Sequence, residues 1–150
     1  MMCWSHVFFS TFIVLLLIDL IQPVHKFWFI VVVAIGSIFA DIDSPESKIG
    51  KHFKFIGKIF GHRGIFHSFF MAFLISYLFS LVFGYFWAFF LGYSLHLFID
   101  SLTVMGVKPF LPFSDFKTEG FIKTNSLAEK LIFWITLFGT TYLFFVKIIL

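Results

Sequence analysis

Long apolar runs alternate with short polar segments along this chain, which is the pattern of a helical protein that crosses a membrane several times. A transmembrane helix needs about 20 mostly apolar residues. Five apolar runs approach that length, at 7–21, 27–40, 65–82, 85–100 and 131–150. The pattern predicts an all-α polytopic membrane bundle of about five transmembrane helices, formed by a single domain over residues 1–150. The run 27–40 is the shortest.

The polar segment 44–60 predicts an additional amphipathic helix that lies in the membrane interface. Ser44 and Pro45 suit the start of a helix. Apolar residues then recur at helical spacing, at Ile49, Phe53, Ile56 and Phe60, while lysines occupy the other faces. The apolar face would rest on lipid or protein, with the lysines at the level of the lipid phosphates. A solvated linker helix is the alternative interpretation.

Composition supports a membrane protein. The chain is 60% hydrophobic and 13% charged, with 27 Phe and a mean hydropathy of +1.01, whereas a soluble domain has about 25% charged residues. This excludes a cytosolic enzyme and a disordered chain, and the single Cys3 excludes a disulfide scaffold. The first apolar run has no preceding Lys or Arg and no small-x-small cleavage site. We therefore expect a retained helix rather than a removed signal peptide.

The basic residues predict the orientation in the membrane. Nine of the eleven Lys and Arg residues lie in segments 44–63 and 101–130, and the other two are Lys26 and Lys147. Basic segments stay on the cytoplasmic side. We therefore expect an inner-membrane protein with its N-terminus in the cytoplasm and its C-terminus outside. Anionic lipid headgroups are the expected partners of the net charge of +3, and direct binding of nucleic acid is not expected.

Acidic residues and histidines inside apolar segments are costly, so each of them needs a partner or a purpose. His96 and Asp100 are four residues apart in an apolar run and share one helical face. Such a pair can ligate a metal, provide a base with its orienting carboxylate, or lock two helices together. Asp41 and Asp43 end the second run, where a helix cap and a turn aspartate are the alternative interpretation.

A third polar group, with His62, Arg63 and His67, opens the third run. The alternative interpretation of this group is a loop whose basic residues face the cytoplasm. That alternative explains Arg63 well, but it does not explain His67 at the start of an apolar run.

The predicted topology brings these groups to the same cytoplasmic face, which favours a metal site. The expected ligands are His6, Asp41, Asp43, His62, His67, His96, Asp100 and Glu129. Histidines and carboxylates without a thiolate suit Zn²⁺, with Mn²⁺ or Fe²⁺ as alternatives, and their number allows one or two ions. Glu129 also completes a capping box with Ser126, which is an equally good interpretation. Asp19 and His25 are assigned to the outer interface.

A metal site at headgroup depth predicts hydrolysis of a phosphate ester, in a lipid or lipid-linked substrate. Arg63 would hold a phosphate oxygen, and either His62 or Asp43 would act as the base. The segment from Thr103 to Pro112, which contains helix-breaking Gly and Pro residues, is expected to form a loop over the site.

The same residues carry a family resemblance. Asp41-Ile-Asp43-Ser44-Pro45, then Gly61-His62-Arg63-Gly64, then His96-x-x-x-Asp100 follow one another along the chain. This order resembles the YdjM-type membrane-bound metal-dependent hydrolases, over most of the chain from His6 to Glu129. A more remote similarity is to zinc-dependent phospholipase C. The resemblance implies hydrolase activity, and members described as associated with a repressor imply a cytosolic regulatory protein as a partner.

Two other functions remain open at this point. A transporter for a metal ion or protons also uses intramembrane Asp and His, but it needs polar residues along a path to the far face. A non-catalytic anchor would recruit a cytosolic regulator through its basic loops. The anchor predicts that the loop lysines matter and that His96 and Asp100 do not.

Overall fold

Five α-helices form most of the part of the chain that the computed structural model describes, residues 3–43 and 64–150. They are α1 (Cys3–Ile21), α2 (Lys26–Phe39), α3 (Phe69–Phe83), α4 (Phe86–Ser101) and α5 (Leu127–Phe144). Short 3₁₀-helices cover Ala40–Asp43 and Ile65–His67, and a π-helix over Phe145–Ile149 extends α5. These two ranges contain no β-strand, so the all-α prediction is confirmed for them. The predicted interfacial helix 44–60 lies outside the described residues.

Local sequence explains where the helices begin and end. Pro23 cannot continue a helix, and α1 ends two residues before it. The Ser68 hydroxyl accepts a hydrogen bond of 3.3 Å from the Met71 backbone N–H and caps α3. Gly84, with φ of 72°, ends α3 in the left-handed conformation that glycine adopts without strain. The third apolar run therefore becomes α-helical only at Phe69, four residues later than the predicted 65.

Helix length limits how many spans the structure supports. Two helical segments, Trp4–Ile21 and Leu127–Ile149, are long and apolar enough to cross a bilayer. Helices α2, α3 and α4 have 14, 15 and 16 residues. At about 1.5 Å per residue they reach roughly 21–24 Å, which is less than the hydrocarbon thickness of about 30 Å. Length and composition thus support two of the five predicted spans.

The core lies between α1, α2 and α4. Its fully buried side chains include Val14, Leu15, Ile18, Val33, Phe89 and Leu97. The backbones of α2 and α4 touch where each helix has a glycine. A Cβ atom at Gly36 would overlap the Phe89 carbonyl, and one at Gly92 would overlap the Val33 carbonyl. Glycine at both positions therefore allows the close approach of these two helices.

The outer faces of the helices expose large apolar side chains. On α3, Leu81 and Val82 are 65% and 74% exposed, and Phe138 on α5 is 66% exposed. An apolar exterior of this extent is unfavourable in water and is typical of a surface that contacts lipid or another protein. The exposed faces of both the short helix α3 and the long helix α5 are therefore suited to contact with lipid.

Charged residues hold the helix ends together at one end of the bundle. The Asp19 carboxylate lies 2.8 Å from Lys147 Nζ and 3.6 Å from Lys26 Nζ. The end of α1, the start of α2 and the end of the π-helix therefore meet. These are the acid and the two lysines that the sequence assigns to the outer side.

The segment between α4 and α5 folds against the start of α3. Isolated β-bridges pair Thr103 with Ile122 and Val107 with Thr118, and the Phe69 N–H donates to the Pro109 carbonyl at 2.9 Å. Lys108 lies 2.8 Å from Asp115, and this hydrogen bond lowers the pKa of the Asp115 carboxyl. Lys117 pairs with Glu119. Two of the lysines expected to meet headgroups thus have an acidic partner within the chain.

We expect Gly92→Ala to destabilise the protein, because its new methyl group meets the Val33 backbone carbonyl, which cannot move aside. Gly139→Ala is the matched control, since its methyl group would meet only the Phe12 ring, and both changes gain helix propensity equally. Unfolding in detergent should show Gly92→Ala less stable than Gly139→Ala by about 1–3 kcal/mol. Equal stability of the two variants would contradict the close packing of α2 on α4.

Candidate metal centre

Six predicted ligands come together at the end of the core that lies away from Asp19. They are His6, Asp41, Asp43, His67, His96 and Asp100. They come from α1, from the 3₁₀-helix after α2, from the 3₁₀-helix before α3, and from α4. The side chains are buried, and that of Asp41 is the most accessible at 13% exposure. Residues far apart in sequence thus form one polar cluster inside an apolar protein.

Two histidines face two aspartates across a small gap. His67 Nε2 lies 3.8 Å from Asp41 Oδ1 and 3.7 Å from Asp100 Oδ2. His96 Nε2 lies 3.6 Å from the same Asp41 oxygen and 3.8 Å from the same Asp100 oxygen. These distances are longer than hydrogen bonds. They approach the separation of about 3.4 Å between two ligands that each lie about 2.1 Å from a tetrahedral metal.

The opposite ring nitrogen of each histidine is held by a hydrogen bond. His96 Nδ1 lies 2.7 Å from the Ser37 carbonyl oxygen, which can only accept, so Nδ1 carries the proton and donates. His67 Nδ1 lies 3.1 Å from Asp43 Oδ2 and donates in the same way. A hydrogen bond at Nδ1 leaves the Nε2 lone pair of a neutral imidazole directed at the gap. This is how metal-binding histidines are usually oriented.

The donor set therefore fits a cation. The Nε2 atoms of His67 and His96 each lie within 3.8 Å of carboxylate oxygens of Asp41 and Asp100, and such acceptors repel one another unless a cation or a proton lies between them. Among the described residues, His96 Nε2 has no hydrogen-bond partner although it is buried. The described residues contain two groups that could hold a metal ion, His6–His96–Asp100 and Asp41–His67–His96.

His6 extends the cluster on the α1 side. Its Nε2 lies 3.5 Å from Asp100 Oδ1, and its ring stacks on the His96 ring with centroids 3.9 Å apart. Both groups of potential ligands include His96, whose Nδ1 is already bonded to Ser37. One imidazole nitrogen binds one ion, so the two groups overlap in a single centre rather than forming two independent sites.

Asp41 and Asp43 have different positions, although the sequence treats them as a pair. A 3₁₀-helix turns once in three residues, so residues two apart point in different directions. Asp41 accordingly faces the Nε2 atoms of both histidines, whereas Asp43 lies behind His67 and contacts its Nδ1. The predicted ligand or base Asp43 thus occupies an orienting position in this structure.

One further predicted ligand, Glu129, lies at the start of α5. Glu129 is buried, its Oε2 accepts a hydrogen bond of 2.6 Å from the Asn125 N–H, and its own N–H donates to Ser126 Oγ. These bonds cap the start of α5 as in a capping box, with the Asn125 N–H in place of the Ser126 N–H, and Glu129 belongs to neither of the two groups. His62 and Arg63 lie outside the described residues. Thr103 begins the predicted loop directly at the centre, because its hydroxyl donates to the Asp100 carbonyl at 2.7 Å.

Two positioning contacts were not predicted from the sequence. One is the Ser37 carbonyl that holds His96. The other is the Tyr93 hydroxyl, which donates to the Phe66 carbonyl at 2.6 Å and fixes the turn that carries His67. A backbone carbonyl accepts a hydrogen bond whatever its residue type, so neither acceptor has a sequence signal. The nearest available sign was a polar Gly36-Ser37 step inside an apolar run.

Comparison with known proteins identifies relatives of this chain. The profile of the family described as YdjM inner membrane protein matches residues 1–149. The uncharacterized protein YvsG of Bacillus subtilis (strain 168) is 31% identical over 107 residues, which cover 66% of this chain and 67% of that protein. No solved structure matches the chain significantly.

We expect the purified protein to bind a divalent transition metal and His96→Ala to lose it, because His96 is shared by both groups of potential ligands. Metal content after purification in detergent and the affinity for added Zn²⁺ measure this. His25→Ala is the matched control, since His25 is exposed at the far end of α1. A wild-type protein without metal affinity, or equal affinity in both variants, would argue against the centre.

Asp43→Asn tests whether Asp43 orients His67 or is itself a ligand. The amide of Asn can donate to Nδ1 and so favour the tautomer whose Nε2 carries the proton. We therefore expect an affinity for Zn²⁺ about 10–100-fold lower, with an unchanged number of ions bound at saturation. Asp41→Asn, the same change at a residue that faces both Nε2 atoms, should weaken binding more. An Asp43→Asn protein that binds fewer ions at saturation would instead make Asp43 a ligand.

Proposed function

We propose that this chain, which belongs to the YdjM inner membrane protein family, is a membrane-embedded metal-dependent hydrolase that cleaves a phosphate ester in a lipid or lipid-linked substrate. The observation that carries the proposal is the arrangement of His67 and His96. Both present Nε2 to the oxygens of Asp41 and Asp100, while hydrogen bonds at Nδ1 hold both rings.

One divalent cation, Zn²⁺ in the first place and Mn²⁺ or Fe²⁺ as alternatives, would be held by two histidines and two aspartates. The proposed ligands are Asp41, His67, His96 and Asp100. Nitrogen and carboxylate donors without sulfur suit these metals, and the sharing of His96 by both groups supports one ion rather than two. The cation would supply Lewis-acid polarisation of a phosphoryl oxygen and would increase the acidity of a water molecule.

The other residues of the centre hold or approach the reacting groups. Ser37 and Asp43 fix the tautomers of His96 and His67, and His6 supports the Asp100 carboxylate from the α1 side. Asp41 is the most accessible member, so the substrate would approach on its side. Arg63 remains the proposed clamp for a phosphate oxygen and His62 the proposed base.

A lipid substrate is supported by the expected depth of the centre. We propose that all five helices span the inner membrane, with the N-terminus in the cytoplasm and the C-terminus outside. Short turns at Ala40–Asp43 and Ile65–His67 lengthen α2 and α3 at the end that carries the centre. The acidic and histidine side chains then lie at the level of cytoplasmic headgroups, where nearby lysines attract anionic lipids.

The apolar core argues against the transporter. A transport path needs polar groups from the centre to the opposite end. Between the centre and Asp19, the described core is filled by apolar side chains, among them Val14, Ile18, Phe29 and Val33. The non-catalytic anchor for a cytosolic regulator remains the alternative, because the basic segments that would bind such a partner are present in either case.

We expect the purified protein in lipid vesicles to release phosphate or a phosphorylated headgroup from a lipid phosphate and to act poorly on a soluble phosphate ester. Asp100→Asn should reduce the rate by at least about 100-fold, since one proposed ligand of the cation is weakened. Chelation should abolish the activity, and added Zn²⁺ should restore it. Asp19→Asn is the matched control at the opposite end of α1.

Three results would contradict the hydrolase. They are a wild-type protein without activity on any lipid phosphate, an unchanged rate in a folded Asp100→Asn variant, and a rate that chelation does not alter. If loss of the loop lysines removes the cellular function while Asp100→Asn retains it, the anchor becomes the better explanation.

A further inference from the structure

An apolar groove of about 420 Å³ is lined in part by direct sequence neighbours of residues in the metal centre. Its lining includes Ile42, which lies between Asp41 and Asp43, and Phe66, which directly precedes His67. The groove therefore shares two chain segments with the centre. Its volume falls in the range of about 300–1,000 Å³ that is typical of small-molecule sites.

The groove follows one face of α3 away from the centre. Its α3 lining residues are Met71, Leu74, Ile75, Leu78 and Phe79, whose spacing of three and four residues places them in one stripe along the helix. From the first to the last, the stripe rises about 12 Å. At the far end the Phe79 and Phe89 rings lie in contact, with centroids 4.5 Å apart. The groove thus runs from the polar centre toward the apolar middle of the bundle.

The lining distinguishes this groove from the rest of the apolar surface. Every residue that lines it is apolar, so it offers no partner to a polar ligand group. Exposed apolar side chains such as Phe138 and Tyr142 of α5 do not line this groove. Only an amphiphile satisfies both features together, with an anionic group at the centre and a hydrocarbon chain in the groove.

We infer that this groove binds the headgroup-proximal part of one acyl chain of the lipid phosphate whose phosphate lies at the metal centre. The inference rests on the proposed function for the position of the lipid phosphate. It adds the binding site of the acyl chain. A groove about 12 Å long covers less than half of the hydrocarbon thickness of about 30 Å. It therefore holds only the first part of the chain, and the rest enters the bilayer.

A photoactivatable lipid tests the occupant without any need for hydrolysis. Phosphatidic acid with a diazirine near the headgroup end of one acyl chain is mixed into phosphatidylcholine vesicles that contain the full-length protein. After illumination, mass spectrometry locates the labelled residues. We expect labels on the groove face of α3, at Leu74 and Leu78, several-fold above those at Phe138. Labels spread evenly over the exposed apolar surface would overturn the inference.

Two leucine-to-tryptophan variants of α3 form a matched pair. Leu74→Trp places an indole in the groove, whereas Leu81→Trp adds the same bulk at an exposed residue outside the lining. We expect at least fivefold less labelling in Leu74→Trp and little change in Leu81→Trp. Both leucines are substantially exposed, so neither change should unfold the protein. Equal labelling of the two variants would overturn the inference.

The headgroup of the photolipid separates a specific site from ordinary bilayer contact. The same diazirine chain on a phosphatidylcholine headgroup should label the groove several-fold less, and equal labelling would reduce the groove to a surface for bulk lipid and overturn the inference. If phosphatidic acid labels the groove but is not hydrolysed, the inference is supported and the proposed hydrolase activity is contradicted. If the protein hydrolyses the lipid and Leu74→Trp leaves the rate unchanged, the activity is supported and the inference is contradicted.

Discussion

Three carboxylates and three imidazoles buried at one end of an apolar core impose the constraint on which the rest of the structure depends. A buried carboxylate that lacks compensation costs several kcal/mol. The Ser37 carbonyl and the Asp43 carboxylate bind the outer nitrogens of the two central histidines, but they add no positive charge to the gap between His67, His96 and the aspartates. The cation proposed for this gap would provide the compensation. The ends of α1, α2 and α4 and the turn before α3 meet around the gap.

The sequence predicts the members of this cluster better than their roles. The apolar runs place the helices, and the four-residue spacing of His96 and Asp100 places both on one face of α4. Basic residues alone assign the acidic and histidine groups to one membrane side, and the structure brings six of them together. The clustering is predicted correctly because helix periodicity and charge distribution are properties of the sequence itself, whereas the membrane side stays a prediction.

The roles depend on geometry that the sequence does not encode in residue types. Asp41 and Asp43 look equivalent in the chain, and only their placement in the folded 3₁₀-helix separates a residue that faces the gap from one that orients His67. Glu129 has the chemistry of a ligand, but Asn125 and Ser126 hold it in the capping box of α5. The length of α3 also depends on such geometry. Residues 65–67 form a short 3₁₀-helix, although their composition continues the apolar run, and this shortens the α-helix that could span the membrane.

The close packing of α2 on α4 also sets the orientation of the proposed ligand His96. Gly36 allows the α4 backbone to approach, and the next residue is Ser37, whose carbonyl holds His96. Gly92 allows the reciprocal approach, and His96 lies one helical turn after it. A wider separation of the two backbones would move the Ser37 carbonyl away from Nδ1 and release the ring.

The short 3₁₀-helix after α2 then connects this packing to the chemistry. Its three residues per turn send consecutive side chains to three sides of the chain. Asp41 faces the gap between the histidines, Ile42 lines the apolar groove, and Asp43 contacts His67 from behind. One tripeptide therefore contributes to the polar centre, to its support and to the adjoining apolar surface.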